Sequence, residues 1–157
     1  MKLVLIIVLI CVIMLIATAL SNQYKDKYDF YNNLINFLNQ FKINISFKQE
    51  KIIQFLNKVK AKKQFTLFID AYKDYLNSGK LDLTKITLLD CDEILELEEI
   101  IKSLGKYDIK TELTQLDLFI SKMKIKQEKA NEDKNKLCPM IIKLSLLFAV
   151  GLAVILI

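Results

Sequence analysis

The sequence contains no arginine, no histidine and no tryptophan, so all 23 of its basic residues are lysine. Without arginine it lacks the planar, two-pronged donor that pairs with phosphate and guanine, which argues against nucleic-acid recognition. Without histidine it lacks the usual proton shuttle, and Ser/His/Asp or Cys/His catalytic arrangements are excluded. The bias towards lysine, isoleucine and asparagine is also what a biased codon composition would produce.

Cysteine, glycine and proline are scarce, with three, three and one residues respectively. Cys11, Cys91 and Cys138 are far apart and odd in number, so they match neither a zinc-site spacing nor a disulfide framework. The glycines do not cluster, and a phosphate-binding glycine-rich loop is therefore absent. We expect no catalytic residue, no metal site and no cofactor, and we predict that the protein is not an enzyme.

Apolar residues make up 53% of the chain, and they are concentrated at its two ends. Residues 3–20 carry no charge and would form a helix of about 27 Å, enough to cross a bilayer core. The small residues at 17–19 leave a cleaved signal peptide as the alternative. The apolar run is longer than a usual signal segment, so we favour a retained anchor.

The second apolar run, residues 140–157, is interrupted only by Lys143 and Ser145. It is a second candidate span, and Lys143 can extend towards the nearer headgroups. The predicted organisation is a transmembrane helix, a middle domain and a second transmembrane helix, at residues 1–20, 21–137 and 138–157.

Lysines on the flanks of the two runs predict the topology. Lys25 and Lys27 follow the first run and a lysine cluster precedes the second, whereas the tails on the other side of the two runs contain Lys2 as their only charged residue. The positive-inside rule therefore places the middle domain in the cytoplasm. An extracytoplasmic domain is the alternative, and it would require Lys2 to decide the orientation.

The middle domain shows helical spacing and no convincing alternation with period two, which predicts an all-α bundle. Apolar residues mark helices over residues 24–41, 47–59 and 65–76, and Ser46 with Gln49 would cap the second of them. The tyrosines after the first span fit either an interfacial belt or a core face, and the sequence leaves both open: Tyr24, Tyr28 and Tyr31.

Residues 88–112 predict a helical hairpin. Asp90 and Glu93 form a capping-box pattern at a helix start, Gly105 suits the left-handed position after Leu104, and Asp108 can cap a second helix. The apolar stripe of the first helix, which we expect to face the bundle, consists of Ile94, Leu97, Ile100, Ile101 and Leu104. The second helix should bury a long face that begins at Ile109 and continues through Leu116, Phe119, Ile120 and Met123.

Three carboxylates fall together opposite that stripe: Asp92, Glu96 and Glu99. The segment lacks the glycine and alternating oxygen ligands of a calcium loop. These residues form either an ordinary solvated face or an electrostatic docking surface for a basic partner. We name them as the candidate partner-binding residues.

The order of anchor, helical domain, hairpin, long Lys/Glu helix and terminal span resembles the stage III sporulation protein AB family. The residues that carry the resemblance are Asp90, Glu93, Ile94, Leu95, Leu104, Gly105 and Asp108. The family often has Gln at the position of Glu112. The resemblance implies a part in the channel complex between mother cell and forespore, beside a secretion-type ATPase, and a domain similar to the platform protein of type II secretion and type IV pilus systems.

Three functional classes follow. The first is a membrane platform in the mother-cell membrane, with other stage III channel proteins, the ATPase, membrane lipid and a second copy of the chain as expected partners. The second is a pore or transport subunit, against which the scarcity of polar residues in both spans argues. The third is an enzyme, against which the missing histidine and glycine-rich loop argue. A membrane-anchored interaction protein unrelated to sporulation is the remaining alternative to the platform.

Overall fold

The computed structural model describes residues 2–48, 51–61 and 63–156, and every regular element in these ranges is helical. The elements are α1 (Lys2–Ile43), a π-helical segment (Asn44–Lys48), α2 (Ile52–Lys58), α3 (Gln64–Ser78), α4 (Cys91–Ser103) and α5 (Ile109–Leu156). The predicted all-α fold with a long apolar helix towards each end of the chain is confirmed.

Helices α1 and α5 each contain a stretch that is long and apolar enough to cross a membrane, with mean hydropathies of 2.3 and 2.2. Only 11% of each stretch is buried, and large apolar side chains such as Leu15 and Leu147 are 69% and 71% exposed. Outward-facing apolar side chains are what a lipid environment stabilises. The chain therefore has the two candidate spans of a two-pass membrane protein.

The chain divides into two compact units, of which the first combines Met1–Tyr28 with Glu128–Ile157. Its buried residues have small side chains and are at most 7% exposed: Ala17, Ser21, Ala130, Cys138 and Ala149. Small side chains let helix backbones approach closely, which is the usual packing of transmembrane helices. The Cys138 thiol donates a hydrogen bond to the carbonyl oxygen of Ser21, with 3.3 Å between sulfur and oxygen.

Helix α5 continues through Pro139 without a break. Proline has no backbone N–H, so one carbonyl in the preceding turn loses its helical partner there. Helix α1 is continuous through residue 20 and α5 through residue 137, so no helix end marks the predicted domain boundaries. Those boundaries stay predictions.

The second unit, Asp29–Gln127, is built around the second half of α1. Phe37 of α1 lies with its ring centroid between 5.6 and 6.4 Å from five other rings. These rings come from α1, α2 and α3: Phe41, Phe55, Phe65, Phe68 and Tyr72. Aromatic pairs at these separations are favourable beyond the area they bury. The aromatic cluster is thus the core that joins α1 to α2 and α3.

Polar contacts join α1 to α5 in the same unit. The Gln127 amide donates to the Asn32 side-chain oxygen at 3.0 Å, and Lys42 Nζ lies 2.6 Å from Asp117 Oδ1. Helix α1 therefore has neighbours on several sides. This explains why Phe30 and Phe37 are only 2% and 1% exposed.

The predicted start of the second helix is wrong. Ser46 lies inside the π-helical segment, and α2 begins after Lys51, whose side chain makes no cap hydrogen bond. Gln49, the other half of the predicted cap, lies outside the described residues. Phe47, which the sequence places at the start of the second apolar helix, lies in the π-helical segment and is 83% exposed.

The three tyrosines that follow the first span, for which the sequence allowed either an interfacial belt or a core face, are divided between the two units. Tyr31 belongs to the core of the second unit and is 2% exposed, whereas Tyr24 and Tyr28 are half-buried in the first unit. Lys134 Nζ lies 3.9 Å from the centroid of the Tyr28 ring, which is a cation–π contact.

Candidate interaction surface on helix α4

Helix α4 begins where the capping-box pattern predicts. The Asp90 side chain accepts a hydrogen bond from the backbone of Glu93, and the Asp90 N–H donates to Glu93 Oε2 at 2.9 Å. Asp92 and Glu93 add negative charge in the first turn and Lys102 adds positive charge in the last, which complements the helix dipole. Local sequence thus determines where this helix starts.

The α4–α5 turn depends on Gly105 and on a carboxylate from the following helix. Leu104 is 5% exposed, and Gly105 has a φ of 78°, the left-handed region that glycine enters without strain. Glu112, only 3% exposed, accepts hydrogen bonds from the N–H of Gly105 at 2.8 Å and of Tyr107 at 3.4 Å. The sequence indicated Glu112 as a helix-start residue and missed this contact.

Asp108 caps α5 as predicted. Its Oδ2 accepts a hydrogen bond from the Thr111 N–H at 3.2 Å, and its carbonyl accepts one from the Glu112 N–H at 2.9 Å. Hydrogen bonding by Thr111 holds the pKa of the Asp108 carboxyl below its usual value. Hydrogen bonds within this segment therefore help to set where α4 ends and where α5 begins.

The inward side of α4 is close to the predicted stripe. Leu97, Ile100 and Ile101 are at most 2% exposed, whereas Ile94 is only half-buried. The expectation for Ile109 at the start of α5 is wrong, since this side chain is 52% exposed. It lies in the first turn of α5, before the helix reaches the core residues that follow it.

Glu93 also faces inwards, near Tyr31 of α1. Burial raises the pKa of the Tyr31 phenol, and the carboxylate of Glu93 raises it further because a second negative charge beside it is unfavourable. This contact joins the first turn of α4 to the central helix of the second unit.

The outward side of α4 has an apolar residue at its centre. Leu95 is 62% exposed, and the exposed carboxylates Asp92 and Glu99 lie one turn before and after it. A groove of about 510 Å³ runs from Leu95 to the α4–α5 turn. Its lining residues are Leu95, Glu98, Glu99, Lys102, Ser103, Lys106 and Tyr107. We name Asp92, Leu95, Glu99 and Tyr107 the α4 surface.

Glu96 does not share this outward environment. Its Oε2 lies 2.8 Å from Lys126 Nζ of α5, so its charge is balanced within the unit. Glu98 forms an ion pair with Lys102 one turn along α4, and that contact raises the pKa of the lysine. Of the three carboxylates that the sequence grouped, Glu96 is half-buried and paired within the unit, whereas Asp92 and Glu99 are exposed.

Among the described residues, no group of three or more Cys, Asp or Glu side chains converges in a way that could hold a metal ion. The three cysteines are free thiols, and Cys91 at the start of α4 is exposed. The chemistry available at the α4 surface is that of recognition: an exposed leucine and tyrosine, two carboxylates and a neighbouring lysine.

These features define an all-α protein with two candidate membrane-spanning helices and a helical unit that presents a mixed apolar and charged surface. A comparison with family models matches residues 2–157 to stage III sporulation protein AB. The chain belongs to the stage III sporulation protein AB family, and the resemblance seen in the sequence is confirmed.

Membership of this family indicates that the chain is a sporulation-related protein. The family is not known as a family of enzymes. Comparisons with curated proteins and with solved structures gave no match.

Proposed function

We propose that this chain is a non-enzymatic platform subunit of the channel complex between mother cell and forespore. It is anchored by both spans in the mother-cell membrane, holds its middle domain in the cytoplasm and docks the secretion-type ATPase that the family resemblance implies. Other stage III channel proteins are its further proposed partners, and a second copy of the chain is compatible with the same role.

The observation that carries this proposal is the α4 surface. Leu95, the large apolar residue at its centre, is 62% exposed between two exposed carboxylates. Interfaces commonly combine an apolar centre with a polar rim. A partner with an apolar side chain flanked by lysine or arginine would complement Leu95, Asp92 and Glu99.

The two kinds of residue have separate roles in this proposal. Exposed charges contribute little to folding, about 0–1 kcal/mol per pair, and across an interface they act mainly on association rate and partner choice. An apolar side chain that becomes buried in the complex acts mainly on dissociation. Leu95 therefore supplies affinity, and Asp92 and Glu99 orient a basic partner.

The test is binding of the full-length chain, reconstituted in nanodiscs, to the purified ATPase at low and high salt. Asp92→Lys combined with Glu99→Lys should weaken binding by about three- to tenfold at low salt, and the difference should shrink as salt screens the charges. Leu95→Ala should weaken binding to a similar extent at both salt concentrations. Glu96 is left unchanged because its substitution would break the ion pair with Lys126.

The matched control is Asp70→Lys with Asp74→Lys, which reverses two exposed carboxylates one turn apart on α3. This control variant should bind the ATPase as the unmodified chain does. Equal weakening of binding in both double variants would show that the change in net charge, and not the position of the carboxylates, causes the effect. Unchanged binding in the α4 variants would contradict the proposal and would show that Asp92 and Glu99 belong to an ordinary solvated helix face.

A further inference from the structure

A second group of exposed apolar side chains comes from chain segments that meet near the α4–α5 turn. It consists of side chains that are 51%, 83%, 46% and 52% exposed: Ile43, Phe47, Ile53 and Ile109. We name these four residues the apolar tip. They come from the end of α1, the π-helical segment, the start of α2 and the start of α5.

Two contacts show that these chain segments share one end. The side chain of Ile52 covers Gly105, since a Cβ placed on that glycine would lie 2.6 Å from Ile52 Cδ1. The start of α2 therefore lies against the α4–α5 turn. The ion pair between Lys42 and Asp117 holds the end of α1 beside the first turns of α5.

Phe47 is the most exposed of these four side chains. Its exposure of 83% exceeds that of the other large apolar side chains described in the chain. It lies on a π-helical segment, a rare conformation that is often associated with function. The neighbouring Asn44 is buried at 3%, so the backbone is anchored on one side while Phe47 points outwards on the other.

The surroundings of the apolar tip are basic. Lys51 and Lys110 lie beside its residues in the chain, Lys106 lies in the adjoining turn, and all three are exposed. Within the described residues 42–48, 51–53 and 105–112, the exposed carboxylate is Asp108, because Glu112 is buried, and the exposed carboxylate of Asp117 beside the end of α1 is paired with Lys42. Projecting apolar side chains among lysines are typical of surfaces that bind the interface of an anionic bilayer.

We infer that the apolar tip inserts into the headgroup region of a membrane that contains anionic lipid. Phe47 enters the boundary between headgroups and acyl chains, with Ile43, Ile53 and Ile109 around it. Lys51 and Lys110 contact lipid phosphates. A deformable lipid surface can accommodate separate projecting side chains, whereas a protein partner would need a matching cavity for each of them. This contact is additional to the two spans, and its four apolar residues are not among those of the α4 surface.

The absence of tryptophan from the chain makes a direct test available. Phe47→Trp in the full-length chain gives a single tryptophan at the apolar tip, and reconstitution into vesicles allows its emission to be measured. Lipids brominated on their acyl chains quench a tryptophan that enters the bilayer. In one experiment the brominated lipids are part of the vesicles that hold the protein, and in another they are part of vesicles added afterwards. Comparing the two experiments shows which membrane the apolar tip enters.

With anionic lipid present, we expect blue-shifted emission and at least twofold quenching by brominated lipid in one of these two positions. Lys51→Glu with Lys110→Glu in the Phe47→Trp chain should remove most of the quenching, while circular dichroism shows unchanged helicity. Leu118→Trp is the control, because Leu118 is 54% exposed on α5 outside the apolar tip and should not be quenched.

Two results would overturn the inference. One is emission typical of water at position 47 without quenching in either arrangement. The other is a blue shift that increases with protein density but is not accompanied by quenching, which would assign the apolar tip to a second copy of the chain. Neither result depends on whether the ATPase binds the α4 surface.

Discussion

At the scale of single residues, Glu112 shows how one side chain connects two helices. Its carboxylate is buried and binds two backbone N–H groups of the α4–α5 turn. A carboxylate is costly to bury unless it accepts hydrogen bonds, and these N–H groups supply them. Glutamine at this position would keep a carbonyl oxygen that can accept the same bond from Gly105.

Replacement of Glu112 should therefore depend on whether an acceptor remains. Glu112→Ala leaves the Gly105 N–H without its partner and should lower the free energy of unfolding by about 1–3 kcal/mol. Glu112→Gln should lower it by less than about 1 kcal/mol, because one acceptor is kept. Chemical denaturation of the full-length chain in detergent, followed by circular dichroism, measures both. Equal losses in the two variants would show that the negative charge, and not the acceptor, stabilises the turn.

At the scale of helices, α1 is the element around which the second unit assembles. It contacts α2 and α3 through the aromatic cluster at Phe37, and α5 through two polar pairs. Tyr31 lies beside Glu93 and joins α1 to α4. The α4–α5 hairpin, whose ends are predicted well from the sequence, thus packs against α1, whose core residues are predicted less well.

Burial of the Tyr31 phenol, together with the nearby carboxylate of Glu93, makes stability depend on pH at the alkaline end. The pKa of the Tyr31 phenol is higher in the folded chain than its unfolded value of about 10, so its contribution is complete below that pH and is lost as pH rises. The denaturant concentration at the unfolding midpoint should therefore decrease as the pH rises above about 10. The decrease should be less steep in Tyr31→Phe. Denaturation curves at a series of pH values compare the two chains. The same slope in both would place the Tyr31 phenol in contact with water.

At the scale of the whole molecule, the candidate spans and the exposed thiol of Cys91 make the predicted topology testable. Cys91 lies in the middle domain, and a chain with Cys11 and Cys138 replaced keeps it as the single cysteine. A cytoplasmic domain is shielded from reagents that cannot cross the membrane.

In intact cells, Cys91 in that chain should resist an impermeant thiol reagent and should react after the membrane is opened. A second chain, in which Cys91 is also replaced and Lys2→Cys is introduced, reports the opposite side of the first span and should react in intact cells. Gel-shift labelling distinguishes the two. Reaction of Cys91 before the membrane is opened would place the middle domain outside the cytoplasm and would favour the signal-peptide alternative for residues 3–20.

The sequence by itself determined the all-α class, the two long apolar helices and the ends of the α4–α5 hairpin. These features depend on local patterns: helical spacing, a run without charges, the Asp90–Glu93 box and a glycine in the left-handed region. The hydrogen bonds of a cap join residues that are three or four positions apart, so a short stretch of sequence contains all the information they need.

Only the tertiary structure decided which residues of those helices face inwards and which remain available. Glu96 pairs with Lys126, Phe37 lies among rings from three helices, and Glu112 binds backbone groups across a turn. Phe47 lies in the π-helical segment between α1 and α2 and is exposed. Helical spacing defines a face but not its neighbours, and a helix contacted from several sides buries more than one stripe. The partner of each side chain depends on how distant segments pack, because the free energy of burial and ion pairing is set by those contacts.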